Sequence, residues 1–155
     1  CESRLWFPDR TAAVLDRAAR RGLATVLLGG PGDVEFAAEV DRQARARVWN
    51  LAGRTGLRDL AGIFARAAAA FGPDSGPMHI AAAVGCPVVS LWGATSPERS
   101  APWGSREGVL RGQAECMPCF RKRCPIGRQC MQAIAVEQVW AALTEDKTAD
   151  ASEIN

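Results

Sequence analysis

The sequence predicts an α/β fold, a parallel sheet with helices on both faces, from three observations. Apolar residues recur at helical spacing in 9–21, 34–44 and 57–68. Short β-branched or apolar segments lie between them and end at glycine or proline. The two kinds of segment alternate, as parallel strands require, because each parallel crossover needs enough chain for a helix.

Taken in order, Thr11, Val14, Leu15 and Ala18 give the first helix its inner face, and Gly22 stops it. Residues 24–28 read as a buried strand that ends in Gly29-Gly30-Pro31-Gly32. Phe36, Ala37, Val40 and Ala44 form the stripe of the next helix, while Asp33, Glu35, Asp41 and Arg42 are solvated. Residues 48–51 are a short strand. Leu57, Leu60, Ala61, Phe64, Ala65 and Ala68 mark the clearest amphipathic helix. Residues 69–71 then form a short strand that leads into Asp74.

Pro77 suits a first helical turn, Ser75 or Gly76 can cap it and Gly85 can end it, so a helix is expected across 76–84. A strong strand follows at 88–92 and a weak one at 108–110. Val136, Val139, Trp140 and Leu143 define the last helix, and residues 144–155 are a polar, frayed tail. The alanine runs at 67–70 and 81–83 read as tight helix packing.

Composition narrows the function. The chain has 155 residues, 48% of them hydrophobic, enough for one domain with a real core. Its 19 basic and 17 acidic residues leave a net charge of +2, too little to argue for nucleic acid. No apolar run reaches the roughly 20 residues of a membrane span. The chain starts at Cys1 without a methionine and reads as a piece of something longer. Six unevenly placed cysteines are not the layout of a secreted disulfide scaffold, which points to the cytoplasm.

The motif with most chemistry is Pro73-Asp74-Ser75-Gly76-Pro77-Met78-His79. If this helix end faces a cleft, the free N–H groups of Met78, His79 and Ile80 and the helix dipole suit phosphate. A carboxylate at Asp74 suits hydroxyl donors instead. Together they fit a nucleotide sugar, against the alternative of an ordinary capped helix with Asp74 in a turn.

Asp74-Ser75-Gly76-Pro77-Met78-His79-Ile80-Ala81-Ala82-Ala83, followed by Gly85-Cys86-Pro87-Val88-Val89, resembles the donor-site signature of the bacterial heptosyltransferases, glycosyltransferase family 9. Gly93-Ala94-Thr95-Ser96-Pro97 resembles that family's Gly-Pro-Thr-Asp-Pro loop, and Pro102-Trp103-Gly104 its Pro-Tyr-Gly. The resemblance runs from about Arg4 to Leu143. It implies a Rossmann-like domain over residues 1–143, the C-terminal half of a GT-B glycosyltransferase, without its N-terminal acceptor domain and first strand. A sheet with a gap is therefore expected.

The implied donor is ADP-heptose and the implied acceptor the lipopolysaccharide core, with no cofactor required for transfer. On this resemblance Asp74 meets sugar hydroxyls, and Ser75, Gly76, Met78 and His79 line the diphosphate. Arg4, before Trp6-Phe7-Pro8, is the catalytic residue that balances charge on the departing phosphate. Asp33 or Glu35 stands where the family has an acid for the ribose, and either could instead be a helix N-terminal acid. Gly53-Arg54-Thr55-Gly56-Leu57 matches the adenine-side loop, where Thr55 could also be an N-cap. The family's general base belongs to the absent domain, so the chain alone is expected to bind poorly and catalyse nothing.

Two alternatives remain from sequence. One is a GT-B enzyme with another nucleotide sugar. The other is a non-catalytic module built on Cys116, Cys119, Cys124 and Cys130, whose four soft ligands suit a structural zinc ion or an iron–sulfur cluster. Free thiols or a local disulfide would account for the same residues. Arg121-Lys122-Arg123, within that cluster, would face an anionic lipid head group or acceptor phosphate, giving peripheral contact with the inner face of the cytoplasmic membrane. A solvated loop is the plainer reading.

Overall fold

A computed structural model describes residues 1–145. The expected polar tail lies almost wholly outside the described residues.

The elements alternate as the sequence predicts. Helix α1 (Pro8–Arg20) leads to strand β1 (Thr25–Leu27), α2 (Val34–Gln43) to β2 (Val48–Asn50), and α3 (Leu57–Phe64) to β3 (Ala70–Pro73). Next come α4 (Gly76–Ala83), β4 (Val88–Trp92), α5 (Pro97–Ser100), β5 (Val109–Arg111), α6 (Gln129–Gln132) and α7 (Val136–Thr144). Pro8, Pro77 and Pro97 each sit in a first turn, where a missing N–H costs no hydrogen bond. Gly22 and Gly85 follow α1 and α4 at φ 77° and 79°, the left-handed conformation that ends a helix.

Every strand pairing is parallel, but the strands form two sheets, β1-β2 and β3-β4-β5. Each of β1 and β3 pairs on one edge only. This explains why β1 is shorter and wetter than the buried strand expected at 24–28: Val26 is 37% exposed.

Side-chain alternation places helices on both faces. On β4, Val89 and Leu91 pack with Trp6, Val14 of α1 and Val139 of α7. Val88 of the same strand turns the other way, to Leu60 and Phe64 of α3 and Met78 and Ala81 of α4. All five residues of β4 are buried, so this strand is the centre of the molecule. A third cluster, of Ala12, Leu15 and Val40, joins α1 to α2 over β1 and β2.

Two expectations need correction. The helix predicted to run to Ala68 ends at Phe64, where the N–H groups of Arg66 and Ala67 turn back to the carbonyls of Ile63 and Phe64 in tight three-residue turns. The strand expected at 69–71 is present as β3 with Ala70 its buried first residue, so what is set aside is only the reading of the whole alanine run at 67–70 as helix packing. Alanine is mildly disfavoured in strands, and pairing and burial override that preference here. α5 and α6 are single turns that periodicity could not reveal.

Candidate functional site

The loops that follow β1, β2, β3 and β4 all leave the carboxyl ends of parallel strands, where such sheets hold ligands. Two of them are fastened together. Gly53, at φ 73°, donates its N–H to the Gly29 carbonyl at 2.9 Å. A Cβ on Gly53 would lie 2.7 Å from Val34 Cγ2, so only glycine lets the loop after β2 approach the loop after β1.

Asp33 lies in that contact region, and its Oδ2 accepts the Gly30 N–H at 2.9 Å. One carboxylate oxygen therefore holds the Pro31–Asp33 turn. Glu35 is exposed in the first turn of α2. Thr55, part-buried beside the loop, has a hydroxyl with no hydrogen-bond partner among the described residues. It makes no cap bond to α3, whose first turn is closed by Asp59 Oδ2 accepting the Gly56 N–H at 2.8 Å.

At β3, the structure joins two residues that are 70 positions apart. Arg4 Nη1 lies 3.3 Å from Asp74 Oδ2 and also donates to the Asp74 carbonyl at 3.3 Å. The Asp74 side chain is only 9% exposed and that of Arg4 39%. The pairing resolves the electrostatic difficulty of a carboxylate beside an anion site. With Arg4 against it, Asp74 adds no net negative charge at the start of α4, yet its oxygens still accept hydrogen bonds. Both contacts use Nη1, so Nε and Nη2 of Arg4 keep their donors free among the described residues.

Ser75 is the N-cap of α4 in an extended conformation, and its hydroxyl makes no cap bond. His79 and Gly76 are exposed. Met78 differs from expectation in two ways. Its N–H is engaged by the Ser75 carbonyl at 3.1 Å, and its side chain is buried in the cluster under Gly72. The open face of this helix start is therefore Ser75, Gly76 and His79.

Arg4 is held in place by residues the sequence does not single out. Arg128, at φ 57°, donates to the Leu5 carbonyl at 2.9 Å and the Trp6 carbonyl at 3.3 Å. Its Nε meets Glu2 Oε1 at 3.1 Å, and its guanidinium lies 4.5 Å from the centre of the Phe7 ring. Trp6 Nε1 and Arg10 Nη1 reach the carbonyls at the end of α6, the Ile134 carbonyl accepting both, at 3.2 and 2.7 Å. No spacing rule marks Arg128, because its partners are more than 120 residues away.

The metal reading of the cysteine cluster is not supported. Among the described residues no group of three or more His, Cys, Asp or Glu side chains is arranged to hold a metal ion. All six cysteines are free, so the local disulfide is absent as well. Two of the four thiols are engaged within the protein instead. Cys124 Sγ accepts the Arg128 N–H at 3.1 Å, and Cys130 Sγ lies where a Cβ on Gly93 would come within 2.7 Å. Burial pushes the Cys130 thiol above its ordinary value, and the nearby Cys116, Cys124 and Cys119 add to the rise. Burial alone raises Cys86.

Comparison with known proteins agrees with this geometry. Residues 2–129 match the family described as glycosyltransferase family 9 (heptosyltransferase). Lipopolysaccharide heptosyltransferase 3 of Escherichia coli K12 is 34% identical over 143 residues, which cover 88% of this chain and 41% of that protein. The chain thus spans about two fifths of that relative's length. The crystal structure of a family 9 glycosyl transferase from Veillonella parvula superposes with a TM-score of 0.75 at 28% identity, covering 92% of this chain and 42% of that one. The Escherichia coli ADP-heptose lps heptosyltransferase II gives 0.71 at 28% identity, covering 91% and 41%. With a family match across most of the chain, a relative above 30% identity along nearly all of it and the same parallel α/β architecture, the chain belongs to glycosyltransferase family 9, the heptosyltransferases.

Proposed function

We propose that this chain is the C-terminal, donor-binding half of an enzyme that transfers heptose from ADP-heptose to the lipopolysaccharide inner core. The observation that carries this reading is the Arg4–Asp74 pair at the start of α4. It sets a hydroxyl acceptor, a free guanidinium edge and a helix N-terminus side by side, which is the donor set a nucleotide diphosphate sugar needs. One solved relative is named for ADP-heptose, and the curated relatives are named for lipopolysaccharide or lipooligosaccharide.

In this reading Asp74 accepts hydrogen bonds from heptose hydroxyls, and Ser75, Gly76 and His79 face the diphosphate. Asp33 or Glu35 takes the ribose, and Thr55 lies at the adenine. A base from the N-terminal half removes the proton of the acceptor hydroxyl. Its oxygen then bonds to the anomeric carbon from the face opposite the departing group, while the carbon–oxygen bond to ADP breaks, with inversion. Arg4 and the α4 end stabilise the charge that develops on ADP, an interaction stronger in the transition state than in the ground state. No metal is required for this step.

The unpaired edges of β1 and β3 favour an upstream strand as the missing centre of the sheet. Among the described residues no helix is long and apolar enough to cross a membrane. Six free cysteines favour a reducing compartment, and we place the enzyme in the cytoplasm.

Calorimetric titration tests the proposal on the chain extended by its upstream strand. ADP and ADP-heptose should bind at least about tenfold more tightly than UDP, roughly the 1.4 kcal/mol that a good base contact supplies. Asp74→Ala should lower the affinity for ADP-heptose relative to that for ADP by about 10- to 100-fold, because the hydrogen bonds to the sugar are lost. Equal affinity for UDP, or no nucleotide binding by the folded protein, would overturn the reading.

A further inference from the structure

A second surface lies beside the donor site. Residues 121–123 are three consecutive exposed cations, and none of them pairs with a carboxylate among the described residues. Their backbone is fixed. The Lys122 carbonyl accepts the Ser3 N–H at 3.2 Å, the Arg121 carbonyl accepts the Ser3 hydroxyl, and the Cys124 N–H donates to Glu2 at 3.0 Å. The triplet is therefore anchored next to Arg4 and is not a wandering loop.

Large apolar side chains stand exposed around it. Phe120 is 52% exposed and Ile126 50%. Phe120 sits at φ 53°, a left-handed conformation unfavourable for an aromatic residue, with its N–H donated to the Ala94 carbonyl at 2.7 Å. That bond ties it to the loop ahead of α5, and Arg99 of α5 lies 5.8 Å from the centre of its ring. Four residues after Arg99, Trp103 is 95% exposed. Residues 98–128 contain seven basic and three acidic side chains, a larger positive excess than the +2 of the whole chain. Of the three acids, Glu98 is already paired with Arg111 at 2.8 Å.

From this arrangement we infer that the face formed by Trp103, Phe120, Ile126 and residues 121–123 seats the protein on an anionic phospholipid bilayer. Cations next to exposed aromatic and aliphatic side chains match the two layers of such a surface, phosphate head groups outside and acyl chains below. A soluble phosphate would need the cations alone. It would leave three large apolar side chains in water without a role. The inference does not depend on the donor-site reading, since the vesicle assay below contains no nucleotide.

The test is co-sedimentation with phosphatidylcholine vesicles, with and without phosphatidylglycerol. The protein should bind the anionic vesicles, less so as salt rises. Arg121→Gln, Lys122→Gln and Arg123→Gln together should weaken binding about 100-fold, and Trp103→Ala about tenfold. A charge-matched control, Arg42→Gln with Arg45→Gln and Arg47→Gln on the far side of the fold, should keep the native affinity. Thermal melting of each variant separates lost binding from lost folding. Equal binding to neutral vesicles, equal loss in the control triplet, or displacement by inorganic phosphate at constant ionic strength would each overturn the inference. The last would assign the cations to a soluble anion.

Discussion

Arg128 shows how much of the site rests on single side chains that touch no ligand. It spans the carbonyls of Leu5 and Trp6, the carboxylate of Glu2 and the face of Phe7, and so holds the segment carrying Arg4 against the rest of the chain. Its guanidinium fork suits this task, since it donates in several fixed directions at once. Arg128→Ala should cost about 2 kcal/mol, read as a melting temperature lower by about 4–8 °C. Arg128→Lys should restore less than half, because an ammonium on one stem cannot meet all these partners.

Thiol chemistry gives another residue-scale test. Burial raises the Cys86 and Cys130 thiols, so at mildly alkaline pH they hold less of the reactive thiolate than an open cysteine does. Timed alkylation read by mass spectrometry should modify exposed Cys1 and Cys116 first, and Cys86 and Cys130 last. Bound metal at the cluster would instead protect all four of its cysteines together.

At the scale of elements, close approach between loops and helices decides where glycine is needed. A Cβ on Gly112 would lie 1.7 Å from the Cys130 carbonyl oxygen, and one on Gly93 would lie 2.7 Å from both Cys130 Sγ and Met131 Sδ. These two glycines let α6 press against the ends of β4 and β5. At Gly93 the obstacle is flexible side chain, whereas at Gly112 it is backbone. Gly112→Ala should therefore destabilise by about 3 kcal/mol or more, and Gly93→Ala by about 1–2 kcal/mol, measured by urea unfolding.

Most elements were legible from sequence because helix periodicity, prolines at helix starts and glycines at their ends are local signals. Residues 88–92 are a strand as expected, and the last helix begins at Val136. The single turns α5 and α6 were not legible, since four residues are too short for a period. The helix expected over 57–68 stops at Phe64 because Arg66 and Ala67 close tight turns there, which an alanine-rich helical pattern does not forbid.

The whole molecule is held at β4, which sends alternate side chains into the two main clusters. Among the described residues sheet β1-β2 gains no further strand, and it is joined to the rest chiefly through helix packing, α1 on α2 and α1 on α7. Amide exchange should report this difference. The amides of β4 should open only with global unfolding, and those of β1 should exchange at least about 100-fold faster through local opening. A strand filling the gap between β1 and β3 would remove the contrast.

The sequence by itself determined the alternation of helices and strands, the donor-type motif from Asp74 to His79 and the family resemblance, because each is written in neighbouring residues. Tertiary structure alone decided which of those residues meet. It set Arg4 against Asp74 and turned the Met78 side chain into the core. The physical reason is range. Propensity, capping and periodicity act over a few residues, whereas a salt bridge, a shared carbonyl or a buried contact depends on where the packed core brings distant segments together.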